Sequence, residues 1–249
     1  MVIRWVYAFV DRPEAYFGAA CGFWTRVTGT RLSAPRGERD EFVTLLPDGS
    51  ADPYLKAQAV TGTGGAHLDF AVDDLARTTG LARRLGATPV HTEDGLEVLR
   101  SPGGQLFCLV PWSGEHRRPA PVTAPDGSTS RLDQVCVDLA PAVYEAEIDF
   151  WTTFTGWASA PGTLPEFHVL RPPANLPIRI LLQRLDEARP TGAHLDLACD
   201  NIEAIRAWHE TLGATLQSQG PHWQVLRDPA GNTYCLTARS PETGTLPAP

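Results

Sequence analysis

Several features are missing from this chain of 249 residues. It has no apolar run of the roughly 18 residues that a membrane-spanning helix needs. It has no run of basic residues either. Its single lysine is Lys56, and 21 Lys and Arg face 29 Asp and Glu, for a net charge of −8. An acidic balance without a basic patch argues against nucleic acid and anionic membranes as partners. The five cysteines are odd in number and show no CxxC spacing, so reduced thiols are expected rather than a disulfide framework. The opening MVIRWVYAFVDRPEAYF places Arg4, Asp11, Arg12 and Pro13 where a signal peptide would need an apolar core, and the expectation is a cytoplasmic protein. No GxGxxG, P-loop, GxSxG or HExxH occurs. Nothing in the sequence specifies an oligomeric state.

What the chain does contain is itself, twice. GAHLDFAVDD (65–74) returns as GAHLDLACDN (192–201), and FWTRVTG (23–29) returns as FWTTFTG (150–156). LGAT (85–88) returns at 212–215, and the turn SPGGQLFCL (101–109) returns as DPAGNTYCL (228–236). Each pair is 127 residues apart. Four separate matches at one spacing mean a duplicated unit. Residues 113–130, SGEHRRPAPVTAPDGSTS, have the composition of a linker, and the tail 240–249 is expected to be disordered.

Each copy divides again. IRWVYAFV (3–10) reads as a strand, a helix follows Pro13 and stops at Gly29, and strand-like pieces follow at 41–46 and 54–60. The pattern restarts with HLDFAV, a helix capped by Asp73 or Asp74 and ended by Gly86, then strands near 88–91, 96–100 and 105–110. The expected fold is α+β: four βαβββ modules near 3–60, 66–111, 131–185 and 193–238. They form two tandem domains, 1–112 and 131–239, with helices on the outer faces of curved mixed sheets.

Strand alternation then sorts the side chains. Leu68, Phe70 and Val72 suit a helix-covered face, and His67, Asp69 and Ala71 share the opposite one. On the closing strand Phe107 and Leu109 oppose Cys108. The uncovered face of each sheet is therefore a cup. His67, Asp69 and Cys108 point into the first, and His194, Asp196 and Cys235 into the second. Trp5, Tyr7 and Phe9 line the first cup, where Leu132, Gln134 and Cys136 line the second. The helical pair Trp208 and His209 reads as surface and packing.

The segments AHLDFAVDD…LGA…SPGGQLFCL and AHLDLACDN…LGA…DPAGNTYCL resemble the vicinal oxygen chelate superfamily, which holds glyoxalase I, the bleomycin-resistance proteins and the extradiol dioxygenases. The resemblance covers nearly the whole chain outside linker and tail, and it implies tandem glyoxalase-like domains. It also implies four metal-ligand positions per cup. Here these fall on Trp5 or Leu132, on Gln58 or Gln183, on His67 or His194, and on Cys108 or Cys235 in place of a Glu. Trp5 and Leu132 cannot ligate, the glutamines ligate weakly and the last-strand Glu is lost to cysteine, so neither a metal nor any other cofactor is expected.

Each cup cysteine has three readings: a small buried apolar residue, a zinc thiolate beside its histidine, or a nucleophile. His67, Asp69, His194 and Asp196 are the candidate catalytic groups. The expected ligand contacts are Trp5, Tyr7, Phe9, Gln58, His67 and Cys108 in the first cup and Gln134, Gln183, His194 and Cys235 in the second. The leading expectation is a binder that sequesters an antibiotic or another aromatic or amphipathic small molecule, as the bleomycin-resistance proteins do. The alternative is an enzyme, a lyase, isomerase or dioxygenase, working without a complete metal site.

Overall fold

A computed structural model describes residues 3–246. The first module is β1 (Ile3–Pro13), α1 (Phe17–Val27), β2 (Thr30–Leu32), β3 (Phe42–Pro47) and β4 (Leu55–Val60). The second is β5 (Gly65–Val72), α2 (Leu75–Arg84), β6 (Thr88–Glu93), β7 (Leu96–Arg100) and β8 (Leu106–Pro111). After the short β9 (Val122–Thr123), the third runs β10 (Thr129–Leu139), α3 (Tyr144–Thr155), β11 (Ala158–Pro161), β12 (Phe167–Arg171) and β13 (Arg179–Arg184). The fourth is β14 (Gly192–Cys199), α4 (Ile202–Thr211), β15 (Thr215–Gln219), β16 (Trp223–Arg227) and β17 (Thr233–Thr237). Local chemistry sets these boundaries. Asp74 caps α2 by accepting from the Arg77 amide, and Asn201 caps α4 by accepting from the Ala204 amide. Gly86 and Gly213 leave those two helices at φ of +103° and +97°, a conformation that a side chain would strain.

The eight strands of the first repeat form one sheet in the order β2-β3-β4-β1-β5-β8-β7-β6. The main sheet of the second repeat has the matching order β11-β12-β13-β10-β14-β17-β16-β15, and β9 adds to β10. Both are mixed sheets. β5 runs parallel to β8 and β14 parallel to β17, while their outer neighbours are antiparallel. Among the described residues no helix is long and apolar enough to cross a membrane.

Packing groups the chain differently from sheet pairing. One compact unit contains β1 as far as Phe9, Ala66–Arg117 and Val135–Ala193. The other contains Val10–Gly65, Arg118–Gln134 and the chain from His194 onward. In the first unit, Phe70 of β5 and Phe107 of β8 meet Trp151 and Phe154 of α3 at ring-centroid distances of 5.2–5.9 Å. In the second, Tyr234 of β17 meets Phe23 and Trp24 of α1 at 5.7 and 5.4 Å. Each of these strand pairs is thus packed by a helix from the other repeat as well as by its own, since α2 also lies against β8 and α4 against β17.

The repeated Pro-Gly turn is where helix and strand are tied. In the second unit the buried Asp228 accepts from the Trp24 indole N–H (3.0 Å) and the Arg12 Nε (2.6 Å). Its other oxygen holds the Ala230 and Asn232 amides of the turn. At the equivalent place in the first unit the turn carries Ser101, and the carboxylate comes from the helix instead. Glu147 of α3, wholly buried, accepts from the Trp151 indole (2.7 Å), the Ser101 hydroxyl (2.9 Å) and the Gly103 amide (2.6 Å). A Cβ at position 103 would sit 2.7 Å from Glu147 Cγ, so this turn needs its glycine for close approach. Burial pushes the Glu147 carboxyl above the usual range, and the three donors pull against that shift.

Three expectations need correction. The segment read as a linker is partly built into the fold, since β9 pairs with β10 and Ala124 is buried. The tail 240–249 is ordered in part: Ser240 and Gly244 close a turn, and Arg118 and Arg131 both donate to the Glu242 carbonyl. Residues 247–249 lie outside the described residues. His209 is a core residue, fully buried, with Nδ1 2.9 Å from the Tyr234 hydroxyl.

Two predictions follow from the turns. Arg12→Leu, which installs the residue found at the equivalent position 139, leaves Asp228 charged and buried without its cation. It is expected to cost about 3–5 kcal/mol in urea unfolding. Glu147 has its folded-state pKa raised, so the folded chain holds that proton more tightly than the unfolded chain. Its contribution is most favourable below the ordinary carboxylate range and is lost as pH rises through the raised value. Burial lowers His209 to about 3, so its contribution is lost as pH falls from the ordinary histidine range towards that value. Unfolding free energies measured against pH should lose the Glu147 limb in Glu147→Gln and the His209 limb in His209→Phe.

Candidate functional site

The first cup rests on two adjacent parallel strands. Asp69 of β5 is paired in register with Cys108 of β8, and His67 lies two residues back on the same face of β5. Each offers a donor atom, one nitrogen, one oxygen and one sulfur, all within 4.8 Å of one another. The His67 Nε2 to Asp69 Oδ1 distance is 3.7 Å. Phe9 of β1 lies flat against the imidazole, with centroids 4.1 Å apart and planes 19° apart, which fixes the ring plane. The set is buried but not sealed, at 9% exposure for His67, 3% for Asp69 and 8% for Cys108. Tyr7, on the same face of β1, donates its hydroxyl to Glu115 at 2.5 Å. Trp5 is completely buried.

The second sheet carries a variant of this arrangement. His194 Nε2 lies 3.4 Å from Asp196 Oδ1, and Asp196 is paired in register with Cys235 of β17. Gln134 of β10, at the position equivalent to Tyr7, donates its amide to the other Asp196 oxygen. Burial raises the Asp196 carboxyl above its usual range, against the pull of His194, Arg239 and the Gln134 amide. Behind this strand Arg239 forms a buried ion pair with Asp133 at 2.5 Å. The Cys136 thiol donates to Gln183 Oε1 at 3.6 Å.

Of the remaining expected contacts, Gln58 stands half-buried on β4, opposite Phe42 of β3, and Gln183 half-buried on β13, opposite Phe167 of β12. All five cysteines are buried thiols, and burial pushes Cys21 up to about 11. Glu115 was not singled out in the sequence. It lies in the stretch read as a linker, and only the fold brings it to Tyr7.

The resemblance implies a divalent ion, and the donors of the first cup fit one. An imidazole nitrogen, a carboxylate oxygen and a thiol sulfur suit a borderline-soft transition ion. The expectation of no metal counted only the four positions carried over from the resemblance. Asp69, two residues beyond the histidine, is outside that set.

The chain matches the family model described as glyoxalase-like domain twice, at residues 8–110 and 134–237. No curated protein matches it. Among solved structures it is similar to 2,2',3-trihydroxybiphenyl 1,2-dioxygenase from the dibenzofuran-degrading Sphingomonas wittichii strain RW1. That match has a TM-score of 0.64 and 14% identity, over 95% of this chain and 90% of that one. A mutant of 4-hydroxymandelate synthase from Streptomyces coelicolor matches with a TM-score of 0.61 and 15% identity, over 96% and 94% of the two chains. A catechol 2,3-dioxygenase matches with a TM-score of 0.61 and 16% identity, over 100% and 95%. Identities this low speak to fold alone, but the two family-model matches span most of both repeats. The chain therefore belongs to the glyoxalase-like family of the vicinal oxygen chelate superfamily, with two tandem copies of its domain.

Proposed function

We propose that this protein is an enzyme acting on a small, oxygen-bearing organic molecule, with its reactive face in the first cup at His67, Asp69 and Cys108. The observation that carries the reading is the convergence of these three side chains on one face of two adjacent strands. A histidine and a carboxylate in an otherwise apolar sheet are costly to bury, and such a grouping marks a candidate functional site. The similar structures support it, since their names describe enzymes, two of them dioxygenases acting on a catechol or a trihydroxybiphenyl.

Two kinds of chemistry are open to the set. In the first, His67 takes a proton from a substrate hydroxyl or carbon acid at Nε2, and the Asp69 carboxylate stabilises the imidazolium. Phe9 holds the ring in place, so the nitrogen is aimed before the substrate arrives. In the second, the three donors hold a divalent ion, which would supply Lewis-acid polarisation of a substrate oxygen. In both, the buried surroundings exclude water and strengthen the electrostatic interactions at the site.

The sequestering reading needs Trp5, Tyr7 and Phe9 as a wall for an apolar ligand. Trp5 is fully buried, Phe9 is stacked on His67, and the Tyr7 hydroxyl is given to Glu115. These engagements, together with the enzymatic relatives of the fold, favour catalysis.

Incubation of the full-length chain with catechols, 2-oxo acids and 2-hydroxy acids, aerobically and with divalent ions present, should convert at least one of them, followed by mass spectrometry. His67→Ala is expected to lower the rate by at least about 100-fold, and His194→Ala by far less. Conversion that survives His67→Ala but is abolished by His194→Ala moves the active site to the second cup. Tight binding without any conversion restores the sequestering reading.

A further inference from the structure

We propose that Arg131 and Arg239, in the second compact unit, form a binding site for a small oxyanion that keeps one hydrogen, of the hydrogenphosphate class. The site goes beyond the enzyme reading of the cups and does not depend on it. Arg131 and Asp133 stand on β10 with the parity opposite to Gln134, so they face away from the second cup.

The duplication supplies the first argument. At the 127-residue offset Arg131 is the counterpart of Arg4, Asp200 of Asp73, and Arg239 of Trp112. In the first repeat Arg4 is at the surface. Its Nε donates to both oxygens of Asp73, at 2.8 and 2.9 Å, and its guanidinium lies 5.4 Å from the Trp112 ring centroid. In the second repeat that carboxylate is diverted. Asp200 accepts from the amide and the hydroxyl of Thr129 instead, at 2.8 and 2.7 Å. Arg131 is 4% exposed, and its Nη2 donates to the Glu242 carbonyl. Its Nε, the atom that holds a carboxylate in the first repeat, is buried and has no acceptor among the described residues. The same cation has been taken inside and parted from its counter-ion. A buried charge without a partner is costly, and an anion from solution offsets that cost.

The groups around it supply the second argument. Where the first repeat has the Trp112 indole, the second has another cation. Arg239, also 4% exposed, gives Nη1 to Asp133 at 2.5 Å, and its Nε and Nη2 have no acceptor among the described residues. Arg131 and Asp133 are two residues apart on one strand face, so the ion pair draws the second guanidinium towards the first. The half-buried Arg118 adds a third charge, since it donates to the same Glu242 carbonyl at 3.1 Å. The acids that act on Arg131 are Asp133, already taken by Arg239, and the exposed Glu242. Burial, and then Arg118, pull the Arg131 guanidinium below its usual proton affinity, as expected of a cation short of counter-charge. Three donor nitrogens on two planar guanidiniums suit an oxyanion. Asp133 Oδ1 decides which one. It is buried and has no donor among the described residues. It repels a fully ionised oxyanion and accepts from one that carries an O–H. Hydrogenphosphate offers both acceptors and this donor, whereas sulfate near neutral pH offers acceptors only.

The test is equilibrium dialysis of the full-length chain against radiolabelled inorganic phosphate, at constant ionic strength in sodium chloride. Sulfate and glycerol phosphate are the competitors. One equivalent of phosphate should bind saturably, and sulfate should compete at least about 10-fold less well. Competition by glycerol phosphate assigns the site to phosphate monoesters, and its failure to compete assigns the site to the free ion. Arg131→Gln should weaken binding at least about 10-fold, while Arg4→Gln in the first repeat leaves it unchanged. Asp133→Asn, whose amide can donate, should bring sulfate close to phosphate. Circular dichroism checks that each variant is folded. A wild-type chain that binds no phosphate overturns the proposal without reference to any variant. So does sulfate that competes as well as phosphate in the wild type, or phosphate binding undiminished in folded Arg131→Gln.

Discussion

A buried tryptophan N–H pointing at a buried carboxylate is the interaction on which both compact units depend. It joins helix, turn and closing strand at one point, and hydrogen bonds to charged acceptors are worth about 1.5–3 kcal/mol each. The two units solve the charge problem differently. Asp228 shares its oxygens between Trp24, Arg12 and the turn amides. Glu147 uses three neutral donors, and burial still raises its proton affinity against their pull. The carboxylate has moved from turn to helix while the position it occupies relative to the tryptophan is kept. The twice-built Pro-Gly turn is thus first a packing device, and Cys108 and Cys235 are carried into the cups by the strands that it starts.

Those closing strands explain why an apolar fold can present polar groups at all. Each is paired on both sides, with one face committed to aromatic packing under a helix. Phe107 and Tyr234 take that face, so Cys108 and Cys235 must take the other. The same parity on β5 and β14 sends His67 with Asp69, and His194 with Asp196, to the uncovered side. The two copies then diverge on the next strand over. Tyr7 turns its hydroxyl to Glu115, whereas Gln134 reaches the carboxylate of Asp196.

Much of this was legible in the sequence. The 127-residue offset, the βαβββ order, a cap at Asp73 or Asp74 and the stop at Gly86 come from local chemistry, and alternation alone assigns His67, Asp69 and Cys108 to one face. What was not legible depends on contacts between distant segments. No local signal says that α3 will cover Phe70 and Phe107, because an aromatic helix face suits any apolar sheet. Glu147 was not singled out, because its partners in the turn at 101–105 reach it only through the fold. Trp5 reads as a ligand wall by parity, but parity cannot tell an open cup from one whose floor is filled. His209 looks like a surface residue in a short polar helix, and only the packing of Tyr234 takes it inside.

The exchange of covering helices bears on how such a chain could be divided or assembled. A polypeptide ending near residue 112 would have all eight strands of its sheet and both of its own helices. Yet Phe70 and Phe107 would lose the rings of Trp151 and Phe154, because the helix that carries those rings begins at Tyr144. One repeat on its own would regain those ring contacts only by lending its helix to a second copy and borrowing one in return. In this chain each repeat supplies that helix to the other.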